Sequence, residues 1–343
     1  MVETGPNEEV YPIVKLATVV AALAADGVSP AEALARTQLS ASALTSPTAR
    51  VSLNQIVECY RNAIKLSPDR FFAYRTGLRF HVSTYGMYGF AILSSTTFRQ
   101  TMQFAVKYHQ LATPLAEIAF HEKDGRGIWS INPMPHPAVD ASLYRFLTEM
   151  QFGIHVSLHR DVMGPSFVPQ ELHLTYRPPF DPRDYRHEFG CPVFFEQPEN
   201  KLVFDGASLD AVPQLGNEIT YATVLKLCDE MMDELQFRTG VAGKVREALL
   251  VNLARPTNFD AVARYLKVSP RTLRRKLEDE KTSFRVLLDE LRMHVAIKYL
   301  RDTDLTIEAI AAALGFSDAA NFRHAFRRWT KGSPQEFRRD PPR

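Results

Sequence analysis

The stretch "EAIAAALGFSDAANFRHAF" at Glu308–Phe326 repeats, with one extra residue, the earlier stretch "DAVARYLKVSPRTLRRKL" at Asp260–Leu277. Both copies begin with an acidic residue, Ala, an aliphatic residue and Ala, and both reach a Ser after a short turn. Each then continues with apolar residues four positions apart, which is the spacing of one helix face. Helix, short turn and helix form a helix-turn-helix unit, whose second helix enters the major groove of DNA. The repeat therefore predicts two such units.

The first copy has the residues that a DNA-reading helix needs. Ser269 can cap the helix, and Pro270 suits its first turn. Arg271, Arg274 and Arg275 are three and four positions apart, so they share a face, and arginine can discriminate guanine by about 1–3 kcal/mol. The alternative, a basic face that only meets solvent, explains neither the turn nor the repeat. The predicted DNA contacts of this unit are Ser269, Arg271, Thr272, Arg274 and Arg275.

The second copy begins its reading helix with two alanines, which offer a base only apolar contact. We therefore expect this unit to read fewer bases and to hold more phosphate. His324 could instead be a structural surface residue. The predicted DNA contacts of this unit are Asp318, Ala319, Ala320, Asn321, Arg323, His324, Arg327 and Arg328.

A helix predicted over Phe284–Leu300 joins the two units. Its length of about 25 Å could hold the two reading helices roughly one DNA turn, about 34 Å, apart. The sequence from Ala242 to Arg343 carries 21 basic and 13 acidic residues, a net charge of +8, whereas the preceding residues carry −6. A basic module of this kind commonly binds nucleic acid.

The first part of the chain mixes helix and strand patterns, which predicts an α+β domain before the all-α C-terminal domain. "LAEIAFHE" and "GIWSIN" flank an Asp-Gly turn and predict a β-hairpin. A second hairpin is predicted in "PVFFEQPENKLVFD", and one long helix over Ala138–Val162. We predict an effector-sensing or dimerisation domain at 1–213, a linker helix region at 214–241 and the double helix-turn-helix domain at 242–343.

Candidate catalytic and metal-binding groups are few. His155 and His159 have the i, i+4 spacing of a metal pair, but no third ligand can be named, so satisfied or surface histidines are expected. Cys191 lacks a His partner and is expected to be a buried structural thiol. No phosphate-binding glycine motif is present. The sequence thus predicts neither an enzyme nor a bound cofactor or metal.

Cysteine usage and hydropathy predict a location. Three widely spaced cysteines without a CxxC pair fit a reducing cytoplasm. The polar start "MVETGPNEEV" does not resemble a signal peptide, and the apolar run that follows contains Lys15 and is too short to span a bilayer. We therefore expect a cytoplasmic, nucleoid-associated protein without a membrane partner.

The segment Val241–Arg339 resembles the DNA-binding domain of the AraC/XylS family of bacterial transcription regulators. "SPRTLRRKL", "LRMHVAIKYLRDTDLTIEAIAAALGFSD" and "NFRHAFRRWTKGSPQEFRR" carry the resemblance. It implies seven helices, two helix-turn-helix units in successive major grooves of promoter DNA, and contact with RNA polymerase. The matching base-side positions are Arg271, Arg274 and Arg275 in the first unit and Ala319, Ala320, Arg323 and His324 in the second.

The N-terminal domain resembles the arabinose-binding-type effector domain of one branch of that family, through "DPRDYRHEFGCPVFFEQPENKLVFDGASLD". The resemblance implies a regulator, as a rule an activator, controlled by a small-molecule effector of unknown identity and able to form a homodimer. Arg75, Arg79, His81 and Tyr85 are candidates for contacting a polar ligand head group. The alternative function is a constitutive DNA binder whose N-terminal domain only dimerises.

Overall fold

The computed structural model describes residues 7–112, 115–134, 138–238, 240–250, 253–254 and 258–339. They divide into two compact units, Pro6–Asp233 and Glu234–Arg343. The first unit contains both helices and strands, whereas the described residues of the second contain helices and no strand. The predicted fold classes, α+β followed by all-α, are confirmed.

The first unit contains several short helices and one long central helix. They are α1 (Val14–Ala25), α2 (Pro30–Ala33), α3 (Leu53–Leu66), α4 (Phe72–Gly77), α5 (Gly86–Ser94), α6 (Phe98–Ala112), α7 (Ala141–Met163), α8 (Pro182–Phe189) and α9 (Glu218–Arg238), whose last residues belong to the second unit. Local signals set several of these boundaries. The Ser29 side chain caps α2 and Glu32 completes a capping box.

The strands form a small pair and one larger sheet. β1 (Tyr11–Pro12) pairs with β2 (Arg50–Val51). β3 (Ala116–Lys123), β4 (Arg126–Pro133), β5 (Glu171–His173), β6 (Val193–Phe194) and β7 (Lys201–Asp205) form a five-stranded sheet in the order β3-β4-β7-β5-β6. The predicted first hairpin is confirmed as β3–β4, with Asp124 and Gly125 at positive φ in its turn.

The predicted second hairpin is wrong. β6 and β7 are not neighbours, because β5 lies between them, parallel to β6 and antiparallel to β7. Asn200, which lies within the segment predicted to form that hairpin, is fully buried. Its Oδ1 accepts from the Thr175 backbone N–H at 3.0 Å, and its Nδ2 donates to the Tyr144 hydroxyl at 2.8 Å. These contacts hold the connection between β6 and β7 inside the fold and leave room for β5.

Helix α7 is the centre of the first unit, because its residues take part in both of the unit's hydrophobic clusters. It crosses α4 at very close range through Gly77 and Gly153. A Cβ on Gly153 would lie 2.3 Å from the Tyr74 carbonyl oxygen, and a Cβ on Gly77 would lie 2.2 Å from the Met150 carbonyl oxygen. Only glycine allows the two backbones to approach this closely.

The described part of the second unit contains seven helices after α9. They are α10 (Gly240–Leu250), α11 (Phe259–Tyr265), α12 (Pro270–Asp279), α13 (Phe284–Asp302), α14 (Ile307–Ala313), α15 (Ala319–Thr330) and α16 (Pro334–Arg339). The 19-residue α13 is about 28 Å long.

Candidate functional site

Each predicted repeat copy folds as helix, short turn and helix. Leu266 ends α11 and Leu314 ends α14, and each is followed by a turn residue at positive φ, Lys267 and Gly315 respectively. A larger residue cannot replace Gly315 without a steric clash, because an added Cβ would lie 2.7 Å from the Leu253 carbonyl oxygen. The reading helices α12 and α15 follow these turns.

The reading helices are fixed to their units by apolar side chains on one face. Leu273 and Leu277 of α12 are buried, as are Phe322 and Phe326 of α15. These residues belong to the single core of the second unit, so the opposite faces of α12 and α15 are presented outward. The apolar assignments made from the sequence are confirmed.

The outward face of α12 is a dense cationic surface. Arg271, Arg274 and Arg275 are all exposed. The Arg274 guanidinium lies over the Phe259 ring at 5.6 Å from its centroid, whereas the side chains of Arg271 and Arg275 have no polar partner among the described residues. The Ser269 side chain accepts from the Thr272 backbone N–H at 3.1 Å and caps the helix without adding charge. The positive end of α12 therefore remains open to a phosphate.

The start of α15 differs because its cap is acidic. Asp318 Oδ1 accepts from the Asn321 backbone N–H at 2.7 Å, and Oδ2 accepts from the Asn321 side-chain amide at 2.9 Å. The backbone hydrogen bond is the main cause of a lowered pKa for Asp318. A charged carboxylate thus occupies the helix end where a phosphate would bind. The neighbouring Ala319 is half-buried and Ala320 is exposed.

The remaining cations of α15 are exposed, but two of them already have partners. Arg323 Nη2 lies 3.1 Å from Glu308 Oε1 of α14, and Arg328 Nη2 lies 2.9 Å from Asp289 Oδ2 of α13. Exposed pairs such as these contribute about 0–1 kcal/mol, so exchange for a phosphate costs little. His324 and Arg327 also face outward.

The first unit of the chain contains an interior cavity of about 30 Å³ between α5, α6, α7 and the β3–β4 hairpin. We call it the central cavity. Its walls are mostly apolar, with Phe98, Met102 and Trp129 among them, and Gln151, His155 and His159 supply polar atoms. A smaller side cavity of about 10 Å³ shares Gln151 with it and is lined by Lys15 and Tyr60. A single water molecule needs about 10–15 Å³, so the central cavity has room for about two water molecules and the side cavity for at most one.

Of the four residues predicted to contact a ligand, only Tyr85 lines the central cavity. Arg79 is exposed. Arg75 is bound to Glu188, with its Nη2 2.6 Å from Oε2, and the exposed His81 ring nitrogen Nδ1 is 2.9 Å from Asp161 Oδ1. Lys15, Tyr60 and Gln151 also line the cavities but were not among the predicted ligand contacts. The available signal was one lysine within the apolar run of α1.

His155 and His159 are buried beside the central cavity. Burial lowers the pKa of His155 to about 4 and that of His159 to about 3. Their Nδ1 atoms lie 2.9 Å from the Gln151 carbonyl oxygen and 2.6 Å from the His155 carbonyl oxygen, respectively. In the part of the chain that the structure describes, no three metal-ligating side chains come together. Both imidazoles are satisfied core groups, as expected from the sequence.

The three cysteine thiols are all buried, and burial raises the pKa of each. Cys191 is buried, as predicted, and burial raises its pKa to about 12.

None of the helices among the described residues is long and apolar enough to cross a bilayer.

Two helix-turn-helix units with exposed reading helices define a DNA-binding protein. The family described as "Arabinose-binding domain of AraC transcription regulator, N-term" matches residues 27–212, and a helix-turn-helix domain family matches residues 262–340. The chain is 32% identical to the ornithine utilization regulator of Pseudomonas aeruginosa over 302 residues, 87% of each chain. It is 29% identical over 323 residues to an uncharacterised helix-turn-helix regulator of Mycobacterium tuberculosis, which covers 91% of this chain and 92% of that one.

The crystal structure of the transcriptional regulator CdpR from Pseudomonas aeruginosa has the same fold. The match has a TM-score of 0.52 at 24% identity and covers 97% of this chain and 100% of the other. The chain belongs to the AraC family of transcription regulators. It is a DNA-binding regulator with an arabinose-binding-type N-terminal domain, and that domain disfavours the alternative of a constitutive binder that only dimerises.

Proposed function

We propose that this protein is a cytoplasmic activator that binds promoter DNA through α12 and α15 and responds to a small-molecule effector. The observation that carries the proposal is the exposed arginine face of α12, held outward by Leu273 and Leu277. In this proposal the sensing and dimerisation domain comprises residues 1–213, residues 214–241 form the linker region, and residues 242–343 bind DNA.

The two units have different roles in the proposal. Arg271, Arg274 and Arg275 read bases, and Ser269 and Thr272 lie near a phosphate at the uncharged end of α12. In the second unit Arg323, Arg327 and Arg328 supply cations and His324 faces the bases, while Asp318 and Asn321 form the cap and Ala319 and Ala320 allow close approach to the groove. The acidic cap supports the view that α15 is the weaker reader.

The effector acts by shifting the population between the active and the inactive arrangement of the protein. It must bind the transcriptionally active arrangement more tightly than the inactive one, because equal affinity for both shifts nothing. A second copy of the chain and RNA polymerase complete the proposed set of partners. The inert histidines and thiols of the first unit support binding without catalysis.

Mapping of bound promoters across the genome of the host tests the proposal, because it yields both the operator and the neighbouring genes. A shared motif with two half-sites about one helical turn apart is expected. Fluorescence anisotropy with that operator and with a scrambled duplex then measures specificity. Equal affinity for the two duplexes would contradict the proposed function. Transcription that falls when the protein is added would contradict the activator role.

A further inference from the structure

Lys15, in the first turn of α1, is an unpaired buried cation. The residue is only 7% exposed. Its side chain forms no ion pair or hydrogen bond with any residue that the structure describes. Its ammonium nitrogen lies 6.0 Å from the centroid of the Tyr85 ring. Burial lowers the pKa of Lys15 to about 7. A buried charge is costly unless a partner compensates it, so this position destabilises the ligand-free fold.

Two phenol groups beside Lys15 are also unsatisfied. The hydroxyls of Tyr60 and Tyr85 are buried and have no hydrogen-bond partner among the described residues. Tyr60 lines the side cavity together with Lys15, and Tyr85 lines the central cavity. The two hydroxyls are close enough to interact electrostatically, since Tyr60 contributes to the raised pKa of Tyr85. Unpaired buried hydroxyls are uncommon in folded proteins and call for an explanation.

These three groups share one chemical need. An ammonium and two phenol hydroxyls are all hydrogen-bond donors, and no Asp or Glu is among the residues that line the two cavities. A ligand that satisfies them must bring acceptor oxygens and a negative charge. The rest of that ligand must be apolar, because Phe98, Met102, Trp129 and Val162 form much of the adjoining wall.

We propose that the first unit binds a small aliphatic monocarboxylic acid, whose carboxylate is received by Lys15, Tyr60 and Tyr85 and whose hydrocarbon body enters the central cavity. This inference rests on the proposed function, since it names the chemical class of the effector. Gln151 lines both cavities, and its Nε2 lies 3.3 Å from His155 Nδ1. Because Gln151 lines both cavities, a ligand that reaches from one into the other must displace its side chain.

The position of this site suits an effector. Helices α1 and α3, which carry Lys15 and Tyr60, contribute to one hydrophobic cluster. Most residues that line the central cavity belong to the other cluster, and α7 contributes to both. A carboxylic acid that reaches from Lys15 into the central cavity would tie the two clusters together. The ligand therefore favours whichever arrangement of these helices brings its donors and its apolar wall into reach at once.

The test uses the full-length protein and the sodium salts of acetate, butanoate and hexanoate, with sodium chloride as the ionic control. Affinity is measured by titration calorimetry and by the thermal unfolding midpoint. We expect binding to strengthen about fourfold for each buried CH₂ group and to level off when the cavity is full. We expect 1-hexanol to bind at least tenfold more weakly than hexanoate.

Three variants separate ligand binding from a structural role. Lys15→Met should bind hexanoate at least tenfold more weakly, bind 1-hexanol as the wild type does, and unfold at an equal or higher temperature. Tyr60→Phe and Tyr85→Phe should each weaken hexanoate binding severalfold without lowering the unfolding temperature of the free protein. Lys65→Met, which removes an exposed lysine at the end of α3, is the matched control and should bind as the wild type does.

The inference is overturned if none of the three carboxylates binds the wild type, if Lys15→Met binds hexanoate unchanged, or if 1-hexanol binds as tightly as hexanoate. If the two tyrosine variants bind hexanoate unchanged, their assigned role is wrong. Operator binding by the same preparation is measured in parallel. Intact operator binding without carboxylate binding rejects only this inference, whereas loss of operator specificity in the wild type rejects the proposed function.

Discussion

Replacement of Arg274 by alanine separates base reading from general electrostatic attraction. The side chain is exposed on α12, and its guanidinium lies 5.6 Å from the centroid of the Phe259 ring. Stacking on that ring restricts the long side chain before DNA arrives, which reduces the entropy lost on binding. The structure thus supplies a guanidinium that has no carboxylate partner among the described residues and is held in position.

The expected loss of operator affinity follows from the contact that Arg274→Ala removes. A bidentate arginine–guanine pair contributes about 1–3 kcal/mol of discrimination, so Arg274→Ala should weaken the preferred operator by about 5- to 150-fold. Operators altered at the one contacted base pair should lose much less, because they never made this contact. Loss of the exposed cation–π contact should destabilise the free domain by only about 0.5–1 kcal/mol.

The assay is fluorescence anisotropy against the mapped operator and a set of single base-pair variants at fixed salt. Lys276→Ala is the control, because Lys276 is also an exposed cation of α12 but lies on a different face from Arg274. The control should weaken all duplexes equally and only slightly. If Arg274→Ala also weakened every duplex by the same factor, the assignment of Arg274 to a base edge would be wrong.

Three further perturbations address other parts of the protein. Arg328→Ala should lower affinity for all duplexes and reduce the salt slope by about one unit, whereas Asp289→Asn, which releases Arg328, should not reduce it; an unchanged slope in Arg328→Ala would place Arg328 away from phosphate. The pKa of buried His159 is lowered to about 3 from an ordinary value near 6.5, so its contribution to stability is present above pH 6.5 and is lost as pH falls towards 3. The unfolding midpoint of His159→Gln should therefore drop less between pH 6.5 and 4.5 than that of the wild type. Equal drops in the two proteins would refute this. Gly153→Ala should destabilise the first unit by about 1–3 kcal/mol or more in chemical denaturation, because its Cβ would meet a backbone carbonyl oxygen of α4 at 2.3 Å; an unchanged midpoint would show that the two helices can separate freely.

The acidic cap of α15 modifies the expectation for the second reading helix. The two alanines predict that this unit reads fewer bases and holds more phosphate. The Asp318 carboxylate accepts hydrogen bonds from the Asn321 backbone and side chain and from the Ser317 hydroxyl at the helix start, so a phosphate is disfavoured there. Phosphate contacts by α15 are therefore expected from Arg327 and Arg328, near its other end.

Local patterns in the sequence determined the DNA-binding unit. A Ser before a Pro, apolar residues four apart and an arginine face each act within a few residues, so α12 and its outward surface could be predicted without knowledge of the rest of the fold. The same holds for the β3–β4 hairpin, whose Asp-Gly turn brings together two strands that are adjacent in the chain.

Tertiary structure alone decided the features that join distant segments. The place of β5 between β6 and β7 depends on buried Asn200, whose partner Tyr144 is 56 positions away in the chain. The pairing of Arg328 with Asp289 spans 39 positions. Lys15 has the same residue type as any surface lysine, and only the packing of α1 against the rest of the first unit removes its ammonium from water. Periodicity and capping report on neighbours in the chain, whereas burial and charge pairing depend on which segments meet in space.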